Sequence, residues 1–138
     1  FRLEEEKQLD YLYHMYLNNK YIINQLDVST AFLHAEIDTD VYLQQPKGYS
    51  NNTNNVCHLK KSLYGLKQSS RNWYNTISSK LIQLGLKQSE GDTCVYYKKD
   101  LFLLLYVDDI IISGSKNNVN NLKEQLSKEF KMKDEWVI

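Results

Sequence analysis

Asp108 and Asp109 stand side by side between two apolar runs, Leu101 to Val107 and Ile110 to Ser113. Adjacent carboxylates repel, and burial raises the cost of keeping both ionised. A two-residue turn would place both acids at its tip, and Asp is a good turn former. A bare tight turn would nevertheless favour Asn-Gly or Asp-Gly. A divalent cation removes both objections, because Mg²⁺ takes oxygen ligands, usually one or two carboxylates with substrate phosphates. A third carboxylate, Asp27, closes the β-rich run Tyr21 to Val28. It could be a strand-end cap. If its strand pairs beside the hairpin, Asp27 joins Asp108 and Asp109 at one end of a sheet. Three carboxylates there could hold two metal ions for in-line phosphoryl transfer. From these residues alone a turn and a metal site both stand.

The elements that must position them are set by periodicity. Leu9, Leu12, Tyr13, Tyr16 and Leu17 have helical spacing, and Asn18–Asn19 ends the pattern. Tyr21 to Val28 reads as a strand, Ser29 to Ala35 as a turn or short helix, and Val41 to Leu43 and Val56 to Leu59 as short strands. A helix is predicted from about Ser70 to Leu84, with Trp73, Ile77, Leu81 and Leu84 as its apolar stripe, a Ser as N-cap and Gly85 at its end. Cys94 to Tyr97 is a strand, and the two apolar runs form a hairpin buried on one face or both. Val119, Leu122, Leu126 and Phe130 share one face of a last helix that covers one side of the sheet. The Asn clusters at 51–55 and 117–121 read as loops. Helices mixed with strands that need not be parallel give an α+β class.

The chain has 138 residues, 42% of them hydrophobic and 25% charged, which fits one soluble domain or a piece of one. No linker divides residues 1–138. One Pro and five Gly exclude a collagen-like or Pro-rich disordered chain. No apolar run reaches the ~18 residues that span a bilayer, so no membrane partner is expected. Arg2 to Glu6 gives no sign of a signal peptide. Two distant cysteines, Cys57 and Cys94, make neither a disulfide framework nor a zinc site and suit a reducing compartment. Net charge is zero, yet Val41 to Ser89 holds no Asp or Glu and seven basic residues: Lys47, Lys60, Lys61, Lys67, Arg71, Lys80 and Lys87. That asymmetry fits either a basic groove for a phosphate backbone or an uneven solvated surface.

Several motifs carry a resemblance. Gln25-Leu26-Asp27-Val28-Ser29-Thr30-Ala31-Phe32-Leu33-His34 resembles the first carboxylate motif of copia-type retrotransposon reverse transcriptases. Val41 to Tyr49 is similar to their next strand and loop. Leu59-Lys60-Lys61-Ser62-Leu63-Tyr64-Gly65-Leu66-Lys67-Gln68, with Arg71, Trp73 and Tyr74, is similar to their template-positioning motif. Tyr106-Val107-Asp108-Asp109 matches their double-aspartate motif, and Phe130 to Asp134 resembles the family segment downstream of that motif. The match runs from about Tyr21 to Asp134 in family order. Ser70 stands where the family often has Pro, and residues 1–10 depart from its pattern.

The resemblance implies a right-hand polymerase palm: an antiparallel sheet with a catalytic hairpin and helices on one face, most of the fingers and the thumb lying outside it. It implies RNA-directed DNA synthesis on an RNA template from a DNA primer and deoxynucleoside triphosphates, with two Mg²⁺ or Mn²⁺ ions. Carried over by position, Asp27, Asp108 and Asp109 would be catalytic, and with the Val28 carbonyl they would hold the metals. Thr30 and Ala31 would offer N–H groups to the triphosphate. Phe32 would lie under the sugar as a gate against a 2′-hydroxyl, a core Phe being the alternative. Tyr64 and Gly65 would lie near the incoming base pair, Gly65 allowing close backbone approach. Gln68, Lys60, Lys61, Lys67, Arg71 and Tyr106 would contact nucleic acid, and Trp73 and Ile77 would be core. The remaining Pol domains, fingers, thumb and ribonuclease H, would be partners, in the cytoplasm, within virus-like particles or in the nucleus. A truncated copy with little activity alone is one expectation, and a non-catalytic relic or binding module that keeps the fold is the alternative. An unrelated basic-groove RNA binder would leave the three carboxylates and Phe32 unexplained.

Overall fold

The structure is a computed structural model that describes residues 20–137, with positions 6, 7, 10, 14, 17 and 18. Of the helix predicted through Leu9, Leu12, Tyr13, Tyr16 and Leu17, the first four lie outside the described residues, while Leu17 is helical, as are Asp10 and His14 within the same span. The chain divides into two compact units, Phe1–Ser29 with Ser78–Ile138, and Thr30–Ile77.

The first unit is built on an antiparallel sheet. Its strands are β1 (Ile22–Val28), β4 (Lys87–Gln88), β5 (Val95–Lys98), β6 (Leu101–Tyr106), β7 (Asp109–Gly114) and β8 (Met132–Val137), in the order β4-β5-β6-β7-β1-β8. Leu, Ile and Tyr fill the central strands, as a pleated surface packed on one face requires. Strand period then decides which side chains are covered. Leu101, Leu103, Leu105, Ile110, Ile112 and Leu26 alternate onto one face and are at most 2% exposed. Helix α2 (Lys116–Ser127) lies on that face, buries Val119, Leu122 and Leu126, and directs Lys123 Nζ to Asn24 Oδ1 (3.0 Å) and Asp134 Oδ1 (2.8 Å). The last turns of helix α1 (Ser69–Gln83) pack there too, where the Tyr96 hydroxyl donates to Ser78 Oγ at 2.8 Å. Gly85 N–H bonds to the Ile82 carbonyl and Leu86 N–H to the Leu81 carbonyl, which closes that helix as predicted. In chain order, β1, α1, β6, β7, α2 and β8 make a β-α-β-β-α-β series, with β1 inserted between β7 and β8.

The second unit holds a 3₁₀ turn (Ala31–His34), the ribbon of β2 (Tyr42–Leu43) and β3 (Cys57–His58), and the start of α1. Ala31, Phe32, Ala35, Trp73 and Ile77 are its buried apolar side chains, with Ser62, Ser69 and Asn72 buried among its polar ones. Asp38 ties a loop to the helix start by accepting from Arg71 Nη2 (2.9 Å) and Asn72 Nδ2 (3.2 Å).

Four expectations change. The Asn residues at 117, 118, 120 and 121 are helical, not a loop. Ser115 caps that helix by accepting from the Asn118 N–H, and three buried apolar residues outweigh the weak helix propensity of Asn. Phe130 is buried but lies beyond the helix end. At the start of α1 the Gln68 carbonyl accepts from the Asn72 N–H, so Gln68 holds the cap position, while the Ser69 hydroxyl donates to the Leu63 carbonyl. Strands β4 and β8 carry charged and polar residues without an apolar run, and periodicity did not mark them.

Gly114 tests the packing of the hairpin turns. A Cβ there would meet the Asp100 carbonyl oxygen at 2.4 Å and Leu101 Cα at 3.1 Å, both backbone. Gly114→Ala should cost about 1–3 kcal/mol and lower the thermal midpoint. Gly91→Ala, whose nearest atom would be Ser89 Oγ at 4.0 Å, should leave the midpoint unchanged.

Candidate active site

In the first unit, β1 pairs with β7 so that Asp27 lies opposite Asp109, and with β8 so that Asp27 lies opposite Lys133. Tyr106 faces Asp109 across the β6–β7 hairpin. The two-residue loop is therefore Val107–Asp108, and the Val28 N–H donates to the Asp108 carbonyl at 2.9 Å. Sequence reasoning placed both acids at the tip. Only Asp108 is there; Asp109 is the first residue of β7 because Tyr106 takes it as a ladder partner. Val107 has φ 55°, a left-handed position that a two-residue hairpin normally gives to Gly. A β-branched residue held there stores about 1–3 kcal/mol of backbone strain.

Asp27 is half-buried, and its carboxyl is held above the usual carboxylate range. Burial is the largest cause, followed by the charges of Asp108, Asp109 and Glu135, while Lys133 pulls the other way. Gln25 Nε2 donates to Asp109 Oδ1 at 3.4 Å from the same face of β1. The strands thus deliver three carboxylates to one end of the sheet, with negative charge exceeding positive. Such an all-oxygen, electron-rich set suits a hard divalent cation in its chemistry. Among the described residues, however, no three or more His, Cys, Asp or Glu side chains close into a metal-binding group.

The second unit places the other predicted residues. Thr30 has φ 54°, also left-handed and β-branched, and its carbonyl accepts from the Leu33 N–H. Ala31 and Phe32 are buried in the turn that comes next, and the Phe32 ring lies 4.3 Å from that of the exposed Tyr64. Gly65 has φ +92°, which requires Gly, and no atom of the chain would crowd a Cβ there. Of the predicted nucleic-acid contacts, Lys60, Lys61, Lys67, Arg71 and Tyr106 are exposed and Gln68 is partly buried. Lys60 reaches His58, Gln68 reaches Thr39, and Arg71 is paired with Asp38. Sequence reading missed Gln25, Lys133 and Glu135 around Asp27. Strand period could have found Gln25, two residues before Asp27. Nothing local marks the other two, which arrive through the β8 pairing.

The family described as reverse transcriptase (RNA-dependent DNA polymerase) matches residues 5–138, which includes part of the stretch where the motifs looked divergent. The chain is 43% identical over 120 residues to the Retrovirus-related Pol polyprotein from transposon TNT 1-94 of Nicotiana tabacum, covering 81% of this chain and 9% of that protein. It is 44% identical over 105 residues to the Truncated transposon Ty1-A Gag-Pol polyprotein of Saccharomyces cerevisiae, covering 75% of this chain and 9% of the relative. The Transposon Ty1-DR5 Gag-Pol polyprotein of the same yeast is also 44% identical over 105 residues, covering 75% of this chain and 6% of its own length. The chain thus spans less than a tenth of each of these relatives.

The raised carboxyl of Asp27 makes a stability prediction. Because its folded pKa lies above the unfolded value, the penalty of its charge is present in full above the folded pKa, shrinks as pH falls through it, and is gone below the unfolded pKa. In metal-free buffer at pH 7, Asp27→Asn should raise the thermal midpoint. The difference should close in an acid series. An Asn variant less stable than the parent at pH 7 would contradict this electrostatic account.

Proposed function

Because the chain belongs to the reverse transcriptase (RNA-dependent DNA polymerase) family, we propose that it forms the palm of an RNA-directed DNA polymerase from a copia-type element. The observation that carries this reading is the Asp27–Asp109 pairing beside the hairpin that holds Asp108 at its tip. The β-α-β-β-α-β series with both helices on one sheet face fits such a palm, and we treat residues 1–138 as one part of it.

In this reading Asp27 and Asp108, with the Val28 carbonyl, would hold Mg²⁺ or Mn²⁺, and Asp109 would support the site near the primer end. Two ions bound there would activate the primer 3′-hydroxyl and stabilise the leaving pyrophosphate. Gln25 steadies the Asp109 carboxylate, and Lys133 offsets part of the charge around Asp27. Thr30 and Ala31 would offer N–H groups to the triphosphate. Phe32, backed by Tyr64, would present a flat ring to the sugar and reject a 2′-hydroxyl by contact. Tyr64, Gly65 and Gln68 would meet the base pair and template, and the lysines would meet phosphates. The RNA template, DNA primer and remaining Pol domains are the proposed partners, with the cytoplasm, virus-like particles or nucleus as the place of action.

We also propose that the chain incorporates little nucleotide by itself. Arg71 and Lys80 are held in ion pairs with Asp38 and Glu129, which lowers the number of cations available to a backbone. Two measurements test the reading. Mn²⁺ should raise the thermal midpoint of the chain, and Asp27→Asn or Asp108→Asn should abolish that rise. Within a full-length Pol protein, the same variants should lower incorporation on a primed RNA template by roughly 10²–10⁴-fold. Indifference of both readouts to the substitutions would favour the non-catalytic alternative.

A further inference from the structure

The ribbon of the second unit carries a feature that the carboxylate site does not use. Tyr42 pairs with His58 and Leu43 with Cys57 across strands of two residues each. All four side chains are exposed, so neither face of the ribbon is covered. The Tyr42 ring lies stacked on the His58 imidazole, with centroids 4.8 Å apart and planes 22° from parallel. The imidazole is in turn fixed at both edges. Its Nε2 lies 3.0 Å from Asp40 Oδ1 and its Nδ1 3.3 Å from Lys60 Nζ. An ammonium has only donors to offer, so Nδ1 accepts and Nε2 carries the hydrogen given to Asp40. The ring plane is thereby set, and Tyr42 is set upon it, still 57% exposed.

A lone surface tyrosine would turn about two side-chain torsions, and this one is already oriented. Preorganisation of that kind lowers the cost of binding a flat partner. The charge around it selects among flat partners. Lys47, Lys60 and Lys61 are the charged residues of the ribbon and its loops, and no Asp or Glu occurs between Val41 and Ser89. Of the acids just upstream, Asp40 is engaged by His58 and Asp38 by Arg71 and Asn72, while exposed Glu36 sits opposite Lys61 across a backbone bridge. A base has a π-face, and its strand carries a negative charge at each phosphate.

We propose that Tyr42, held flat by His58, is a stacking platform for one base of a single-stranded nucleic acid, with Lys60 and Lys61 meeting the neighbouring phosphates. This inference rests on the polymerase reading for its nucleic-acid partner, but it concerns a different surface from the carboxylates. Its test uses fluorescence anisotropy with a labelled eight-nucleotide RNA and an abasic strand of equal length and charge. The intact chain should prefer the base-bearing strand by about 5- to 100-fold, the range that one stacked base contributes. Tyr42→Ala should erase that preference, and Tyr42→Phe should keep it. Equal binding of both strands by the intact chain, binding of neither, or an unchanged preference in Tyr42→Ala overturns the platform. The intact-chain comparison stands even if Tyr42→Ala does not fold. The Mn²⁺-dependent rise in thermal midpoint and its loss in Asp27→Asn report the polymerase reading separately. A failed platform with intact metal dependence therefore removes only the platform. Self-association lost in Tyr42→Ala without strand preference would assign the ribbon to a protein contact and overturn the proposal.

Discussion

A strand repeats every two residues, so a slip of one between β1 and β7 would turn Asp27 onto the helix-covered face and bring Leu26 and Val28 out. The acid end of the sheet depends on that register. It is enforced by what lies along the rest of β1: Leu26 on the apolar face, and Asn24 on the same face with its side-chain oxygen taking a hydrogen bond from Lys123. Helix α2 thereby controls a carboxylate it never touches. Lys123 joins Asn24 of β1 to Asp134 of β8, and these two residues set the strands on either side of the Asp27–Lys133 pairing.

The same register holds strain in place. Val107 sits left-handed in the β6–β7 turn because Tyr106 and Asp109 leave only two residues to reverse the chain. The second unit has its own β-branched, left-handed residue, Thr30, at the start of the 3₁₀ turn. In the hairpin the Tyr106–Asp109 ladder pairing fixes the backbone more firmly than local preference would. The negative charge that lifts the Asp27 carboxyl is a second form of stored cost, since burial and three neighbouring acids act in one direction and Lys133 alone opposes them.

The hairpin, the first strand, the turn after it, the long helix and the three acids were legible because each is marked within a short window. Apolar runs bounded the strands, Gly85 ended the helix, and Asp-Asp between apolar runs had few ordinary explanations. What failed depended on partners distant in sequence. The place of Asp109 was set by the ladder partner Tyr106, not by turn chemistry. The Asn-rich stretch became a helix because Val119, Leu122 and Leu126 had a sheet to cover. Strand β8 is charged and shifts register beside Gln25 and Leu26, so its pattern points to no strand until β1 is there to pair with it. Gln25 was within reach by period alone. The stack of Tyr42 on His58 was not, since it joins two short strands across a loop that fixes no register by itself.

Strand β6, Leu-Phe-Leu-Leu-Leu-Tyr, has the length, β-propensity and lack of charge of segments that stack into cross-β fibrils. Its position answers that hazard. Two-residue turns on each side let β5 and β7 pair with it locally, before β1 must return from far along the chain. The rims go to β4, only two residues long, and to β8, irregular in register and carrying Lys133, Asp134 and Glu135. Resistance to fibril growth is therefore written into the order of the strands, with the stickiest segment innermost and the least templating ones outermost.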